Sequence, residues 1–379
     1  MKNANWNYPT AIRFGAGRIA ELAEVCRGAG ITRPLLVTDP VLADMPMVRD
    51  AVAAAGAGLF SNIHSNPVGA DVEAGLAAYR SGGHDGVIAF GGGSALDAGK
   101  VIAFLSGQSR PMWDFEDVGD WWSRADPGGI APVVAVPTTA GTGSEVGRAG
   151  VILDQDAGVK KIIFHPKMMP LAVILDPELT LGLPEHVTAA TGMDALAHCI
   201  EAYCAPGFHP MADGIAAEGV ALIHDWLPRA VADGSDIEAR GHMLVAASMG
   251  ATAFQKGLGG MHALSHPIGA LLGSHHGLTN AVLMPYILAF NRSAIEERVA
   301  RLAGYAGLEP SFDAFLRWVV ELRASLGIPH RLSELAVGEE HLERIAQMAE
   351  RDPSAGGNPL PFDAAAARAV LDAAMAGRV

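Results

Sequence analysis

The chain has 379 residues, half of them hydrophobic and 18% charged, which supplies ample material for buried cores and excludes an intrinsically disordered chain. Its formal net charge of −14 denies it the basic footprint that nucleic acid or an anionic membrane surface requires, so neither is expected as a partner. No run of about 18 uncharged apolar residues occurs, and no membrane-spanning helix is expected.

The first stretch, "MKNANWNYPT", is polar and lacks the apolar segment of a secretory signal. The three cysteines, Cys26, Cys199 and Cys204, are too few and too odd in number for a disulfide framework. Both features point to a reducing cytoplasm. Cys199 and Cys204 stand five apart, which is no zinc-ribbon spacing. "PLLVTD" at 34–39 reads as a buried strand that ends on Asp39. "ADVEAGLAAYRSGG" reads as a helix from Ala70, stopped by Gly82 and Gly83. "DGVIAFGGGS" is an apolar run closing in glycines, and "ALDAGKVIAFLSG" continues as a helix. "APVVAVPTTAGTGSEV" is a further strand running into a Gly/Thr turn. Strands alternating with helices predict a parallel, doubly wound sheet.

From Pro184 the patterns become helical: "PEHVTAATGMDALAHCIEAYCA", "ADGIAAEGVALIHDWLPRAVADG" and "EARGHMLVAASMGATAF". More helices follow, broken at Pro310, Pro329 and "DPSAGGNP". No internal repeat or low-complexity segment is present. The predicted organisation is therefore an α/β nucleotide-binding domain over residues 1–184, followed by an all-helical domain over 185–379, with the boundary near "DPELTLGLP".

Two glycine-rich turns carry the first chemical signal. In "FGGGSALDAGK", Gly91, Gly92 and Gly93 let a backbone approach a ligand closely, and Ser94 can cap the helix whose free N–H groups make an anion site. The pattern is neither G-x-G-x-x-G nor a Walker loop, so alone it also suits a plain structural turn. In "PTTAGTGSEV", hydroxyls and glycine N–H groups suit phosphate, ribose or amide groups. Two such loops after two strands of one sheet would share the carboxyl edge where doubly wound folds bind ligands. Asp39, at the end of another strand, fits either a ribose acceptor or an ordinary helix cap.

The second signal is imidazole. "GGMHALSHPIGALLGSHHGLTN" holds four of the fourteen histidines, His262, His266, His275 and His276, in an otherwise apolar stretch. In "MDALAHCIEAY", Asp194 and His198 stand at i and i+4 on one helix face. A carboxylate with several imidazoles suits Fe²⁺ or Zn²⁺, whereas a lone histidine on an apolar helix is usually a core residue. Spacing does not decide which histidines bind. Pro267 should kink its helix or lie in the first turn.

These motifs, together with "DPELTLGLP" and in this order, resemble the iron-containing (group III) alcohol dehydrogenases, the family that includes lactaldehyde reductase, over nearly the whole chain. The resemblance implies the fold shared by that family and dehydroquinate synthase. It implies Asp194, His198, His262 and His276 as ligands of Fe²⁺, with Zn²⁺ as the other candidate. His266 matches a histidine beside nicotinamide and substrate that is not a ligand. Gly91, Gly92, Gly93, Ser94 and Asp97 are expected to hold the pyrophosphate of NAD, with Thr138, Thr139 and Thr142 lining the cofactor cleft. Lys160, Asn66, Val151, Leu179 and Leu183 fall on cofactor-contact positions, and Asp39 matches the acid associated with NAD preference. A small alcohol, aldehyde or ketone is the implied substrate, reacting between the two domains by hydride transfer to or from the nicotinamide. A homodimer is expected by analogy.

The sequence departs from the family at Gly147, Arg148 and Ala149, which implies a wider substrate side. It departs again at Lys256 and at His275, an expected exposed neighbour of the ligands. One rival is an NAD- and metal-dependent lyase of the dehydroquinate synthase type, whose first ligand is Glu where this chain has Asp194. The other is an inactive nucleotide-binding relative.

Overall fold

A computed structural model describes residues 9–379; most of the polar N-terminal stretch lies outside the described residues. The chain forms two compact units. One holds residues 9–139 and Gly143–Gly182; the other holds Leu183–Val379 with the short piece Ala140–Thr142.

The first unit runs β1 (Ala11–Phe14), α1 (Leu22–Gly28), β2 (Pro34–Val37), α2 (Pro40–Ala43), α3 (Pro46–Ala55), β3 (Gly58–Phe60), α4 (Gly69–Ser81), β4 (Gly86–Gly91), α5 (Gly93–Leu105), β5 (Val133–Pro137), β6 (Ala149–Asp154), β7 (Val159–Phe164) and β8 (Ala172–Leu175). Six strands make one sheet in the order β1-β8-β5-β4-β2-β3, and every pair in it is parallel. β2, β4 and β5 are buried along their whole length, as apolar runs covered on both faces must be. Ile88, Phe90, Val134 and Val136 pack with Leu22, Val25 and Val48 in one core. Helix α5 lies tight on the sheet because Gly99 has no side chain: a Cβ there would stand 2.8 Å from that of Ala89.

β6 and β7 form a separate antiparallel hairpin, which the alternating-element reading does not foresee. Its turn is legible in "DQDAG": Asp154 Oδ1 accepts from the backbone N–H of Asp156 and Ala157.

The second unit is helical: α6 (Glu185–Cys204), α7 (Pro210–Ala232), α8 (Ile237–Ala253), α9 (Gly260–Leu272), α10 (His276–Tyr305), α11 (Phe312–Ser325), α12 (Glu339–Arg351) and α13 (Ala364–Ala376). A parallel α/β unit followed by a helical unit is the fold class expected. Leu196, Ile200, Val220, Leu244, Leu264 and Leu283 belong to one core drawn from α6 to α10. Pro267 sits inside α9, beyond its first turn. Cys26, Cys199 and Cys204 are free and buried, and burial pushes the Cys199 and Cys204 thiols up to about 12. Among the described residues, no helix is long and apolar enough to cross a membrane.

Candidate functional site

In the α/β unit, three loops leave the carboxyl edge of neighbouring strands. Gly91, the last residue of β4, stands in register with Pro137 at the end of β5, and the Thr138 N–H donates to the Gly91 carbonyl. β2 flanks β4 on the other side and leads into Asp39. The strand order reverses between β2 and β4, which is where doubly wound sheets take ligands. Gly91 has φ 141°, and a Cβ there would meet that of Ala95 at 2.9 Å. Only glycine makes this turn without strain.

Ser94 is not the cap of α5. The N-cap is Gly92, with no side-chain cap, and the Ser94 hydroxyl donates to the Ser65 carbonyl at 2.5 Å. Ser94 is already in the first helical turn, two residues past the cap position. The bare helix N-terminus keeps its N–H groups for an anion.

Asp97 is engaged internally. It accepts from Ser144 Oγ at 2.5 Å and from Val151 N–H at 3.0 Å. Lys100 pairs with it at 3.3 Å and donates to the Ser144 and Ala149 carbonyls. Burial lowers the Lys100 pKa against the pull of Asp97. Through these bonds Asp97 ties the Ser144 loop and β6 to α5. Asp39 is the N-cap of α2: its Oδ1 accepts from Val41 and Leu42 N–H at 2.9 and 3.0 Å. Its Oδ2 borders the Gly91 turn, 3.7 Å from where a Cβ of residue 91 would be. Asn66, Thr139 and Val151 are half-buried in this unit. Lys160 pairs in register with Leu153 in the hairpin. Leu179 is buried in the sheet core. Thr142 and Leu183 fall in the helical unit.

In the helical unit, Asp194 and His198 project from α6, His262 and His266 from α9, and His276 opens α10. Asp194, His262 and His276 bring one ligand atom each to within 4.8 Å of one another. His198 stands outside this trio, its ring stacked on His262 with centroids 4.7 Å apart. Burial drives the His198 pKa down to about 4, so the ring is a neutral donor at neutral pH. Its buried Nδ1 has no well-aligned hydrogen-bond partner.

Sequence reasoning missed three residues around this cluster. Asn280, one turn after His276, points its amide nitrogen at Asp194 Oδ1 (2.8 Å), His262 Nε2 (3.2 Å) and His276 Nε2 (3.2 Å). Glu201, on the Asp194 face of α6, lies 2.7 Å from His262 Nδ1. Asp352, at the end of α12, lies 2.8 Å from His266 Nδ1. Helical periodicity puts Glu201 on the face of Asp194 and His198, at i+7 and i+3. Asp352 gives no signal, being 86 residues from its partner.

Burial alone would raise the Asp352 pKa, but the facing His266 and hydrogen bonds from His266 and Ser354 hold it below its ordinary value. An ionised carboxylate only accepts, so the His266 proton sits on Nδ1. At His262, burial opposes the charged ring, yet the hydrogen bond and charge of Glu201, with Asp194 and Asp352, raise its pKa overall. Two amide hydrogens of Asn280 face three lone-pair atoms. The ion pairs of Asp194, Glu201 and Asp352 among the described residues are all with histidines. Such an acceptor-rich, electronegative pocket fits a divalent cation.

A parallel α/β unit with a glycine-rich carboxyl edge, joined to a helical unit with a carboxylate–imidazole cluster, defines the dinucleotide- and metal-dependent enzymes, dehydrogenases and dehydroquinate synthase-type lyases among them. Residues 9–177 match the family model "Iron-containing alcohol dehydrogenase" and 188–375 match "Fe-containing alcohol dehydrogenase family, C-terminal". The chain is 40% identical over 381 residues to 4-hydroxybutyrate dehydrogenase of Cupriavidus necator, covering 97% of this chain and 99% of that one. Among solved structures it is similar to 1,3-propanediol oxidoreductase, with a TM-score of 0.93 and 32% identity, covering 99% of this chain and 100% of that one. It is also similar to sulfoacetaldehyde reductase from Bifidobacterium kashiwanohense in complex with NAD+, with a TM-score of 0.90 and 29% identity over 99% of each chain. The chain belongs to the iron-containing alcohol dehydrogenase family. It is an NAD-dependent oxidoreductase that interconverts alcohols with aldehydes or ketones, and the lyase and inactive readings fall away.

Proposed function

We propose that Asp194, His198, His262 and His276 hold the metal, Fe²⁺ in the cell with Zn²⁺ as a competent substitute, and that His266 serves the reacting substrate. The observation that carries this is the convergence of ligand atoms from Asp194, His262 and His276, all within 4.8 Å of one another. A bound divalent cation supplies Lewis acidity at the substrate oxygen, and NAD(H) takes or supplies the hydride.

The chain's own residues do the rest. Asn280 donates to the Asp194 carboxylate and fixes its orientation. Asp352 keeps the His266 proton on Nδ1, which leaves Nε2 free to accept a proton from, or orient, a hydroxyl. In the α/β unit, the bare N-terminus of α5 takes the pyrophosphate. The Gly91 turn gives it close backbone approach, and Asp39 accepts from the adenosine ribose. Thr138, Thr139, Thr142, Asn66, Val151, Lys160, Leu179 and Leu183 complete the cofactor contacts.

The substrate is a short alcohol or its aldehyde, a reading supported by relatives named for 4-hydroxybutyrate and 1,3-propanediol. The protein works in the cytoplasm, consistent with three unpaired cysteines. It works as a homodimer, consistent with the exposed edge strand β1 and its uncovered Ile12 and Phe14.

Two measurements test this reading. NADH absorbance is followed with a panel of short alcohols and aldehydes in added Fe²⁺ or Zn²⁺, and metal content is measured in His262→Ala and Asp194→Ala. Net NADH turnover in the wild type and loss of metal in both variants are expected. Wild-type metal content in both variants overturns the ligand assignment.

A further inference from the structure

The N-terminus of α9 has no cap of its own. Its N-cap is Gly259, which has no side chain, and the first N–H groups of any helix lack intrahelical partners. Groups from elsewhere in the helical unit satisfy them. Glu201 Oε2 accepts from Gly259 N–H at 2.8 Å and Oε1 accepts from Met261 N–H at 2.6 Å. Asn358 Oδ1 accepts from Gly260 N–H at 3.1 Å. The Glu201 oxygen that caps Gly259 also stands 2.7 Å from His262 Nδ1, and its side chain is nearly fully buried.

We infer that Glu201 is a positioning residue for the metal: one carboxylate docks the start of α9 and fixes the His262 ring, so that Nε2 faces Asp194 and His276 as an unprotonated donor. The inference rests on the ligand reading above. With both oxygens accepting backbone N–H groups, Glu201 leaves only an acceptor for His262. The ring proton is therefore on Nδ1 and the lone pair on Nε2. Carboxylate partners of this kind raise the basicity of a ligating imidazole and hold its plane. Because the same group caps the helix, backbone and ring are aligned together.

Replacing Glu201 by Gln tests this directly. Each Glu201 oxygen meets a backbone N–H, so a Gln amide must turn its NH2 group towards a donor. Asn358→Ser is the control: it loosens the same helix end without touching His262. The full-length chain is stripped with a chelator and titrated with Zn²⁺ against a chromophoric competitor. Zn²⁺ affinity is expected to fall about 10–100-fold in Glu201→Gln and less than about threefold in Asn358→Ser. In the wild type, low-field proton resonances are expected for both imidazole N–H groups bonded to carboxylates, those of His262 and His266; in Glu201→Gln the one assigned to His262 is absent and that of His266 remains.

Wild-type affinity in Glu201→Gln overturns the inference. An equal loss in Asn358→Ser also overturns it, since Glu201 is then only a cap. A wild-type protein without a low-field resonance assigned to His262 overturns it without any variant. If Glu201→Gln fails to fold, Glu201→Asp takes its place: the charge stays but the carboxylate is drawn back from His262, and the same fall in affinity is expected. His262→Ala separates this inference from the ligand reading. If it keeps Zn²⁺ affinity, the ligand reading fails. If it loses Zn²⁺ while Glu201→Gln does not, only the role of Glu201 fails.

Discussion

Asp39 shows one carboxylate with two faces. Oδ1 is committed to the N-terminus of α2, and this bond holds the side-chain rotamer. Oδ2 is thereby aimed along the edge where the Gly91 turn lies. A 2′-phosphate near Oδ2 would meet a like charge, at a cost of about several kcal/mol in a partly dry site. Asp39→Ser is the informative variant, because serine caps as well as aspartate while the charge is removed. The kcat/KM ratio of NAD to NADP is expected to fall about a hundredfold or more, since every ~1.4 kcal/mol of lost repulsion is a factor of ten. An unchanged ratio in a folded variant leaves Asp39 as a cap alone. His266 is the second residue to probe. Its ring lies against His276, with centroids 5.4 Å apart, but its Nδ1 belongs to Asp352. His266→Ala is expected to keep its metal and to lose about 10²-fold in kcat, within the usual range for a proton-transfer group. Loss of stoichiometric metal in the folded variant would make it a ligand. Two departures from the family have partners within their own units. Lys256 pairs with Asp213 and donates to the Tyr203 carbonyl, where Arg298 also donates, so two cations neutralise the C-terminus of α6. Arg148 lies over the Phe164 ring at 5.6 Å.

Helix ends decide much of what the two units offer. α5 begins at Gly92 without a side-chain cap, and that omission is what leaves an anion site. α10 begins differently. His275, exposed and next to the ligand reading's His276, is its N-cap, with Nδ1 accepting from Leu278 N–H at 3.3 Å. His275→Ala is therefore expected to leave metal content at the wild-type level. It costs stability of about 0.5–2 kcal/mol from the lost cap, read as a lower denaturant midpoint. Metal loss in this variant would place His275 among the ligands. α9 carries Pro267 internally, so the Ala263 carbonyl lacks its usual helical donor. With the α9 N-terminus held from outside by Glu201 and Asn358, the histidine helix depends on its neighbours more than on its own sequence.

Across the helical unit, the proposed ligands come from α6, α9 and α10, three helices of one core. A cation bound to the native arrangement and not to the unfolded chain stabilises by mass action, about 2.7 kcal/mol at a hundredfold excess over Kd. For a unit of this size that is a Tm change on the order of 5–10 °C. Stripping the metal with a chelator is expected to lower Tm by this amount, and added Zn²⁺ is expected to restore it. An unmoved Tm in protein shown by elemental analysis to have lost its metal would mean that the cation does not join these helices.

Periodicity and turn chemistry are local, and the sequence by itself determined what depends on them. Asp194 and His198 share a helix face because four residues are about one turn. The strands before Asp39, Gly91 and Thr138 read as buried because apolar runs without alternation belong to sheets covered on both faces. The order of the motifs identified the family. Tertiary structure alone decided which strand lies beside which, and so that β2, which leads into Asp39, flanks β4 and its glycine turn. It decided that Asp97 is tied to Ser144 and Val151, and that Ser94 is not a cap. It decided that Glu201 reaches His262 over 61 residues and Asp352 reaches His266 over 86. The physical reason is that a ring's tautomer and direction are set by the group on its far side. That group is brought there by the packing of helices distant in sequence, which no local spacing encodes.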